Sequence, residues 1–479
     1  MTPSSGRLRA MTRRADPTSA APTTFRGLTL FPFQREAIAA IFSGQGVVVA
    51  APTGAGKTLV ADYAIEQALS ESRRVVYTSP IKTLSNQKFR DFREEYGEER
   101  VGLMTGDVTI QADAPLLIMT TEIFRNTIFE APERLDGFDF AIFDEVHYID
   151  DRDRGTVWEE SLIYAPRHIR PVALSATVPN VDELAAWIAE VREIDVAVII
   201  EEERPVPLVH KVWIPGRGPR SLPEVKRYYL DMGRLKDKRR GRHGRGPKPR
   251  GRKAQARIME EASHAMLDHL QEHDRLPAIY FCFSRRECQS LAEAHAPRPL
   301  LDSDERERML ALFDDLATRY EVTDAESTRL LRRLAGNGVL YHHAGMLPID
   351  KEIVERLFTT GLVKLLFATE TFALGVNMPA RSVAFHALTK FNGRSYGPLL
   401  GREYWQMAGR AGRQGIDDRG WVYSLLDEMD VTYGNVEYLQ SGRTEAVRSR
   451  FNLSYNAILN LYERLGDRVP EAWQRSFAR

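Results

Sequence analysis

The sequence predicts an α/β fold built from two tandem parallel-sheet domains, followed by a short helical segment. From about Thr29 onward, short apolar runs rich in β-branched residues alternate with helical patterns, which is typical of parallel sheets covered by helices. The first set of runs lies at residues 47–50, 75–77, 140–143 and 172–174, and a second set lies at residues 278–281 and 365–368. A length of 479 residues is enough for two domains with separate cores.

Each run of the first set ends at a cluster of small, polar or acidic residues. In open parallel sheets, ligands bind outside the carboxyl ends of the strands. We therefore expect these clusters to line one crevice.

The composition is that of an ordinary soluble protein, with 43% hydrophobic and 28% charged residues and a formal net charge of zero. Neutrality argues only against a broad basic surface, so the placement of charge matters more than its total. Cys282 and Cys288 lack metal-binding spacing and indicate a reducing compartment. The sequence shows no signal-peptide core and no membrane-spanning run, so a cytoplasmic protein without a membrane partner is expected.

Changes in composition and the restart of the strand pattern suggest the domain boundaries. Residues 1–24 contain four arginines among Ser, Thr, Pro and Ala, which predicts a disordered basic tail, with a transit peptide as the alternative. The first domain is expected at residues 25–205 and the second at residues 206–440. Residues 234–257 are basic and rich in Gly and Pro, which predicts a disordered insert in the second domain. Residues 441–479 are expected to form the helical start of a truncated C-terminal region.

A phosphate-binding loop is predicted directly after the first apolar run. Its residues are Ala51, Pro52, Thr53, Gly54, Ala55, Gly56, Lys57 and Thr58. The loop follows a strand and precedes a helical run, which is the context that such a loop requires. Its backbone N–H groups would surround the phosphates of ATP, and the helix N-terminus favours negative charge. Lys57 is expected to contact the β and γ phosphates, and the Thr58 hydroxyl to bind Mg²⁺.

An acidic pair, Asp144 and Glu145, follows the apolar run at residues 140–143. Two carboxylates at the end of a buried strand are costly unless they meet a cation. Asp144 is therefore the predicted partner of Mg²⁺, directly or through water. Glu145 is placed to polarise the water that attacks ATP. Without a phosphate-binding loop in the chain, a solvated turn would be the better interpretation of this pair.

Gln406, Arg410 and Arg413 form a third candidate catalytic group. Their spacing of i, i+4 and i+7 predicts one shared helix face, and the intervening Ala and Gly residues would allow a close approach to a partner surface. Two guanidinium groups presented together suit the charge of a phosphoryl transition state. A solvated basic helix face is the alternative, and Trp405 and the glycines argue against it.

Further motifs follow in a fixed order: SPIKTLSNQK at residues 79–88, MTGD at 104–107, TTE at 120–122, DEVH at 144–147, YHHAG at 341–345 and FATETFALGVNMP at 367–379. Together with the phosphate-binding loop, they resemble the motifs of superfamily two DExH helicases. The DEVH and SPIKTLSNQK motifs are similar to those of the superkiller-type, exosome-associated RNA helicases. This resemblance spans residues 28 to 461 and implies two RecA-like domains that close over ATP.

The resemblance also implies roles for single residues. Gln34 would contact the adenine edge of ATP, and Gly375 would belong to the nucleotide site. Ser175 and Thr177 would couple hydrolysis to domain movement, and His147 would link the ATP site to Gln406. Contacts to the nucleic-acid backbone, which carry no base specificity, are implied for Pro80, Lys82, Gly106, Thr121, Thr369 and Asn377.

The expected function is an ATP-dependent helicase or translocase that moves 3′ to 5′ along single-stranded nucleic acid in RNA processing or decay, with an RNA-decay complex as partner. Only the resemblance favours RNA, because no sequence feature senses a 2′-hydroxyl, so a DNA motor is the first alternative. A non-catalytic, ATP-responsive clamp is the second, and the retention of Lys57, Glu145, Arg410 and Arg413 argues against it. Because such helicases normally continue into further domains, residues 441–479 suggest either a fragment or a minimal two-domain motor.

Overall fold

The computed structural model describes residues 21–240, 252–323, 325–373, 378–451, 462, 466 and 469–478. The chain divides into two compact units. The first unit comprises Met1–Arg204 and Thr444–Arg479, and the second comprises Pro205–Arg443. Each unit contains its own mainly parallel sheet, so the predicted α/β fold with two sheet domains is confirmed.

The strands of the first unit are β1 (Thr24–Phe25), β2 (Leu28–Thr29), β3 (Gly46–Ala50), β4 (Arg74–Ser79), β5 (Val101–Met104), β6 (Thr109–Ile110), β7 (Leu116–Thr120), β8 (Phe138–Phe143), β9 (Arg170–Ser175) and β10 (Val196–Ile200). Strands β1 and β2 pair with each other, and the others form a sheet in the order β10-β3-β9-β8-β4-β7-β5-β6. Its neighbouring strands are parallel except β5 and β6. The carboxyl ends of the parallel strands therefore share one edge of the sheet.

The helices of the first unit are α1 (Pro32–Phe42), α2 (Thr58–Ser70), α3 (Lys82–Tyr96), α4 (Thr121–Glu130), α5 (Gly155–Tyr164) and α6 (Val181–Arg192), with short 3₁₀ helices at Glu98–Arg100, Pro132–Leu135 and Val146–Asp150. Both faces of the sheet are covered: Val48 belongs to one apolar cluster, and its neighbours Val47 and Val49 belong to the other. Burial on both faces explains why the strands are continuous apolar runs. Helices α3 and α4 begin within three residues of the strands that precede them, which fixes the residues at these strand ends.

The second unit contains the strands β11 (Leu208–Ile214), β12 (Gly218–Arg220), β13 (Ala278–Phe281), β14 (Val339–His342), β15 (Leu365–Ala368), β16 (Ser382–Phe385), β17 (Thr389–Phe391), β18 (Tyr396–Pro398) and β19 (Gly420–Leu425). Its helices are α7 (Leu222–Arg240), α8 (Arg252–Glu272), α9 (Arg285–His295), α10 (Ser303–Arg319), α11 (Glu326–Ala335), α12 (Pro348–Thr359), α13 (Glu370–Ala373), α14 (Gly401–Ala408) and α15 (Tyr433–Gln440). The main sheet has the order β12-β11-β19-β16-β13-β15-β14, and β17 and β18 form a hairpin.

The C-terminal segment returns to the first unit, which the sequence did not indicate. The side chain of Asn180 bonds both backbone groups of Val447: it donates to the carbonyl and accepts from the N–H, each at 2.9 Å. The Ser449 hydroxyl donates to buried Glu159 at 2.6 Å. A last helix, α16 (Val469–Arg475), lies near α5, and the Trp187 side chain of α6 donates to its Arg475 carbonyl at 2.8 Å. These bonds attach the chain after residue 443 to the first unit.

Two helices extend into residues 234–257, the segment predicted to be a disordered insert, and the disorder itself stays a prediction. Helix α7 continues to Arg240, and α8 begins at Arg252. Lys and Arg are good helix formers, and α8 continues into Met259 and Met266, which belong to the core and hold the helix in place. Residues 241–251 lie outside the described residues, as do residues 1–20 of the predicted tail. No helix among the described residues has both the length and the apolar character needed to span a bilayer.

Candidate functional site

The predicted phosphate-binding loop connects β3 to α2. Gly54 and Gly56 have φ angles of +84° and +88°, in the region that favours glycine. The Lys57 ammonium donates to the carbonyl oxygens of Ala51 at 2.6 Å and Pro52 at 3.2 Å. These bonds hold the lysine charge against the loop. The loop thus combines glycine-dependent backbone geometry with a cation, as a phosphate site requires.

Gln34 is buried on α1, and both ends of its amide are bonded within the protein. Its Nε2 donates to the Gly56 carbonyl at 2.9 Å, and its Oε1 accepts from the Phe31 N–H at 2.9 Å. A Cβ atom at position 56 would lie 2.8 Å from Gln34 Nε2, so glycine is needed there for close approach as well as for its φ angle. The structure places Gln34 against the phosphate-binding loop, and its contact with adenine stays a prediction.

Asp144 and Glu145 lie directly after β8, next to β4 in the sheet. The Asp144 N–H donates to the Thr78 carbonyl at 3.1 Å, and the Tyr77 hydroxyl donates to Asp144 Oδ2 at 2.5 Å. Glu145 has the left-handed conformation, with φ 59° and ψ 44°. For a residue with a side chain this costs about 1–2 kcal/mol. Strain of this kind is concentrated at functional sites, where the surrounding structure maintains it.

Electrostatics at Asp144 favour a bound cation. Burial raises the pKa of Asp144, and the neighbouring Glu145 carboxylate raises it further, while Lys88, the Tyr77 hydroxyl and Lys57 act in the opposite direction. Burial and the Asp144 carboxylate also raise the pKa of Tyr77 well above its usual value. Tyr77 therefore remains a hydrogen-bond donor. A divalent cation beside Asp144 would restore the charged carboxylate.

His147 connects the acidic pair to the segment at residues 175–177. Its Nδ1 lies 3.4 Å from Glu145 Oε2 and accepts a hydrogen bond from the Ala176 N–H at 3.3 Å. Ala176 lies between Ser175 and Thr177, the two predicted coupling residues. Ser175 is fully buried, and its hydroxyl donates to the Ala176 carbonyl at 2.7 Å. The predicted link from His147 to Gln406 joins residues of different units and stays a prediction.

The predicted nucleic-acid residues of the first unit lie at the carboxyl ends of β4, β5 and β7. Lys82 is the first residue of α3 and pairs with Asp107. A Cβ atom on Gly106 would lie 3.7 Å from Lys82 Nζ, so these two residues are neighbours. The Thr121 hydroxyl donates to the Ser79 carbonyl at 3.3 Å. The structure therefore brings together residues that are far apart in the sequence.

Arg154 is a residue of this edge that the sequence did not single out. Its guanidinium donates to the Pro80 carbonyl and lies 3.5 Å from Glu122. Its side chain is 45% exposed, so it presents positive charge beside the predicted strand-binding residues. In the sequence, Arg154 follows a cluster of aspartates, a pattern typical of a solvated loop. This pattern does not indicate that Arg154 contacts Pro80 and Glu122.

In the second unit, Thr369 follows β15. Its N–H donates to the His342 carbonyl at 3.1 Å, and its hydroxyl lies 3.0 Å from that of Thr371. Thr369 is therefore fixed at the carboxyl ends of β14 and β15. Gly375 and Asn377 lie outside the described residues.

The predicted common helix face of Gln406, Arg410 and Arg413 is wrong. Gln406 lies on α14, but this helix ends at Ala408. The chain then turns away, because the Ala380 N–H donates to the Arg410 carbonyl at 2.9 Å and the Gly412 N–H donates to the Ala380 carbonyl at 2.8 Å. Gly412 has a φ angle of +85°, which a helix does not allow.

The two arginines of this segment have different partners within the second unit. Arg410 is nearly buried, and its guanidinium donates to the Ala373 carbonyl. Arg413 forms a two-bond pair with Asp417, with distances of 2.7 Å and 2.8 Å. This pairing raises the pKa of Arg413. The sequence did not predict that Asp417 pairs with Arg413. The two residues are four positions apart, and only the turn of the chain between them brings the carboxylate to the guanidinium.

Comparisons with known proteins identify two helicase domains. The family described as DEAD/DEAH box helicase matches residues 31–184, and the family described as helicase conserved C-terminal domain matches residues 316–415. The chain is 41% identical to superkiller complex protein 2 of Mus musculus, over 93% of this chain and 37% of that protein. It is 40% identical to the ATP-dependent RNA helicase mtr4 of Schizosaccharomyces pombe, over 90% of this chain and 40% of that protein.

A bacterial relative is similar to the same extent. The chain is 39% identical to the probable helicase HelY of Mycobacterium leprae, over 94% of this chain and 51% of that protein. The chain thus spans about half or less of the length of these three relatives.

Proposed function

The chain belongs to the superfamily two DExH helicases of the superkiller type, and from this premise we propose that it is an ATP-dependent RNA helicase core. It couples the hydrolysis of ATP to movement along single-stranded RNA, in the 3′ to 5′ direction. The proposal concerns the two units of this chain, which correspond to part of each relative.

The observation that supports the proposal most strongly is which predicted residues follow each strand of the first unit, and how those strands are ordered in the sheet. The carboxyl ends of β3, β9 and β8 carry the phosphate-binding loop, the segment at residues 175–177 and the acidic pair. The carboxyl ends of β4, β7 and β5 carry the predicted strand-binding residues. Because β8 pairs with β4, the two groups are adjacent on one sheet. Nucleotide and nucleic acid would therefore bind side by side on a single rigid support.

The residues around the phosphate-binding loop fit Mg²⁺ bound together with ATP. Thr58 offers a hydroxyl and Asp144 a carboxylate, and Mg²⁺ prefers such hard oxygen donors. When bound, Mg²⁺ neutralises charge on the β and γ phosphates. Lys57 binds the phosphates, and Glu145 orients the attacking water and accepts its proton. In this arrangement His147 transmits a change at Glu145 to Ala176, and thus to Ser175 and Thr177.

RNA is the proposed nucleic-acid substrate because a similar protein, mtr4, is named as an ATP-dependent RNA helicase. Similarity to superkiller complex protein 2 supports a role in RNA processing or decay as part of a complex. Contact with the sugar–phosphate backbone through Lys82, Gly106 and Thr121 suits a motor that must pass any base sequence. A cytoplasmic location completes the proposal, supported by Cys282 and Cys288, which are buried free thiols.

ATP hydrolysis measured with RNA and DNA oligonucleotides of the same sequence and length tests the proposed nucleic-acid substrate. We expect single-stranded RNA to increase the rate more than DNA does. Stronger stimulation by DNA would support a DNA motor instead. ATP-dependent RNA binding without any turnover would support the non-catalytic clamp.

A further inference from the structure

Tyr77 is a core residue whose hydroxyl has a functional partner. It lies on β4 and is fully buried, and its ring packs edge-on against Phe92 with the ring centroids 5.4 Å apart. Its hydroxyl donates to Asp144 Oδ2 at 2.5 Å. A phenylalanine would fill the same space without the hydroxyl. Packing alone therefore does not account for a tyrosine at this position.

The bond from Tyr77 restrains the Asp144 carboxylate. A carboxylate at a strand end can rotate about its last side-chain bond unless a donor fixes one oxygen. Tyr77 fixes Oδ2, while the Asp144 N–H is bonded to the carbonyl of Thr78. Both partners belong to β4, so one neighbouring strand sets the position of the Asp144 backbone and of its carboxylate. Hydrogen bonds of this kind orient metal ligands in other proteins.

Lys88 connects this pair to α3. Its ammonium lies 5.6 Å from the centroid of the Tyr77 ring and 5.5 Å from that of the Phe92 ring, which is a cation–π arrangement. Helix α3 begins at Lys82, a predicted strand-binding residue. The same helix therefore carries a candidate RNA contact in its first turn and, six residues later, a residue that packs on Tyr77.

We propose that Tyr77 is a positioning residue, whose hydroxyl holds the Asp144 carboxylate in the orientation that binds the Mg²⁺ of Mg–ATP. This inference rests on the proposed function. In this role Tyr77 touches neither the nucleotide nor the metal, and it acts only through Asp144.

The test compares Tyr77→Phe with the matched control Tyr280→Phe. Tyr280 is equally buried in the sheet of the second unit, and its hydroxyl is bonded to Ser263 and His386, each at 2.9 Å. Binding of a fluorescent ATP analogue is titrated with Mg²⁺ and repeated in EDTA. For Tyr77→Phe we expect the half-saturating Mg²⁺ concentration to rise about 10- to 100-fold. Affinity in EDTA should not change, and Tyr280→Phe should behave as the wild type.

A double-mutant cycle separates positioning from a general loss of stability. Asp144→Asn removes the carboxylate, so adding Tyr77→Phe to it should cause no further shift in the Mg²⁺ requirement. Unchanged Mg²⁺ dependence in Tyr77→Phe, equal shifts in both tyrosine variants, or an additive shift in the Asp144→Asn background would overturn the proposal. These readouts measure binding and not hydrolysis. If the wild-type protein binds Mg–nucleotide but does not hydrolyse it, the proposed function is contradicted, while the binding data still show whether Tyr77 positions Asp144.

Discussion

Lys57 and Glu145 serve different steps of the proposed reaction, although both lie at the carboxyl edge of the same sheet. Lys57→Ala removes the cation that contacts the phosphates, so ATP affinity should fall. Glu145→Gln keeps the size of the side chain but cannot accept a proton, so ATP should still bind while turnover falls by about 10² to 10⁴. Equilibrium binding of an ATP analogue and steady-state hydrolysis distinguish the two effects. Turnover near the wild-type rate in Glu145→Gln would remove the proposed mechanism.

Arg410 and Arg413 are predicted to stabilise the phosphoryl transition state. Replacing either with alanine should lower kcat strongly, since arginines in this role contribute about 10³ to 10⁵ in other enzymes. Nucleotide affinity should change much less, because the interaction is made in the transition state. Single-turnover hydrolysis and nucleotide binding are the measurements.

Arg332→Ala is the control for this pair of variants. Arg332 also lies in the second unit and forms a two-bond pair with Asp314, at 2.6 Å and 2.8 Å. It lies on α11, outside the predicted site, so kcat should be retained. If Arg410→Ala also keeps the wild-type kcat, the bond from Arg410 to Ala373 has only a structural role.

Glu160 should make stability depend on pH. It is 2% exposed, and burial raises its pKa from 4.5 to about 7, although Arg125 lies 3.4 Å away and opposes the rise. The folded state binds the proton of the Glu160 carboxyl more tightly than the unfolded state does. The protonated carboxyl therefore contributes its full share to the free energy of unfolding below pH 4.5, and this contribution is lost as pH rises through 7.

Glu160→Gln, which cannot ionise, should therefore be more stable than the wild type at pH 8, by about 3 kcal/mol at most. The difference should disappear near pH 4.5, the ordinary pKa of the carboxyl group. Denaturant unfolding of both proteins at several pH values measures it. A stability difference that does not vary with pH would show that Glu160 does not titrate in this range.

At the scale of the element, strands were more predictable than helix ends. The apolar runs at residues 47–50 and 278–281 fall on β3 and β13, because burial on both faces leaves a clear signal in the sequence. The end of α14 at Ala408 was missed, because the bonds from Ala380 that redirect the chain come from a distant segment. The contacts of Tyr77 and Arg154 were missed for the same reason, since a sequence shows residue types but not tertiary partners.

The basic residues between α7 and α8 can be tested for contact with RNA. Residues 241–251 lie between α7 and α8 and include Arg242, Arg245, Lys248 and Arg250. If they contact RNA phosphates, deleting them should weaken RNA binding and reduce the salt dependence of log Kd by up to about 3, at roughly 0.7 per contact. The basal ATPase rate should not change. An unaltered salt dependence after deletion would indicate a simple linker.

At the scale of the whole molecule, the chain forms the first unit, then the second, and then returns to the first. The bonds of Val447 and Ser449 to Asn180 and Glu159 fix this return. The sequence predicted the boundary near residue 205 from the restart of the strand pattern. It did not predict the return, because a short helical pattern does not show which surface the helix packs against.

ATP turnover with and without single-stranded RNA shows whether this chain is an RNA-driven ATPase. The wild-type chain and Glu145→Gln are compared at saturating ATP and Mg²⁺, with the RNA concentration varied. We expect RNA to increase the wild-type rate in a saturable manner, and Glu145→Gln to bind the same RNA without this increase. A wild-type rate that does not respond to RNA, or equal rates for the two proteins, would contradict the claim that this chain is an RNA-driven ATPase.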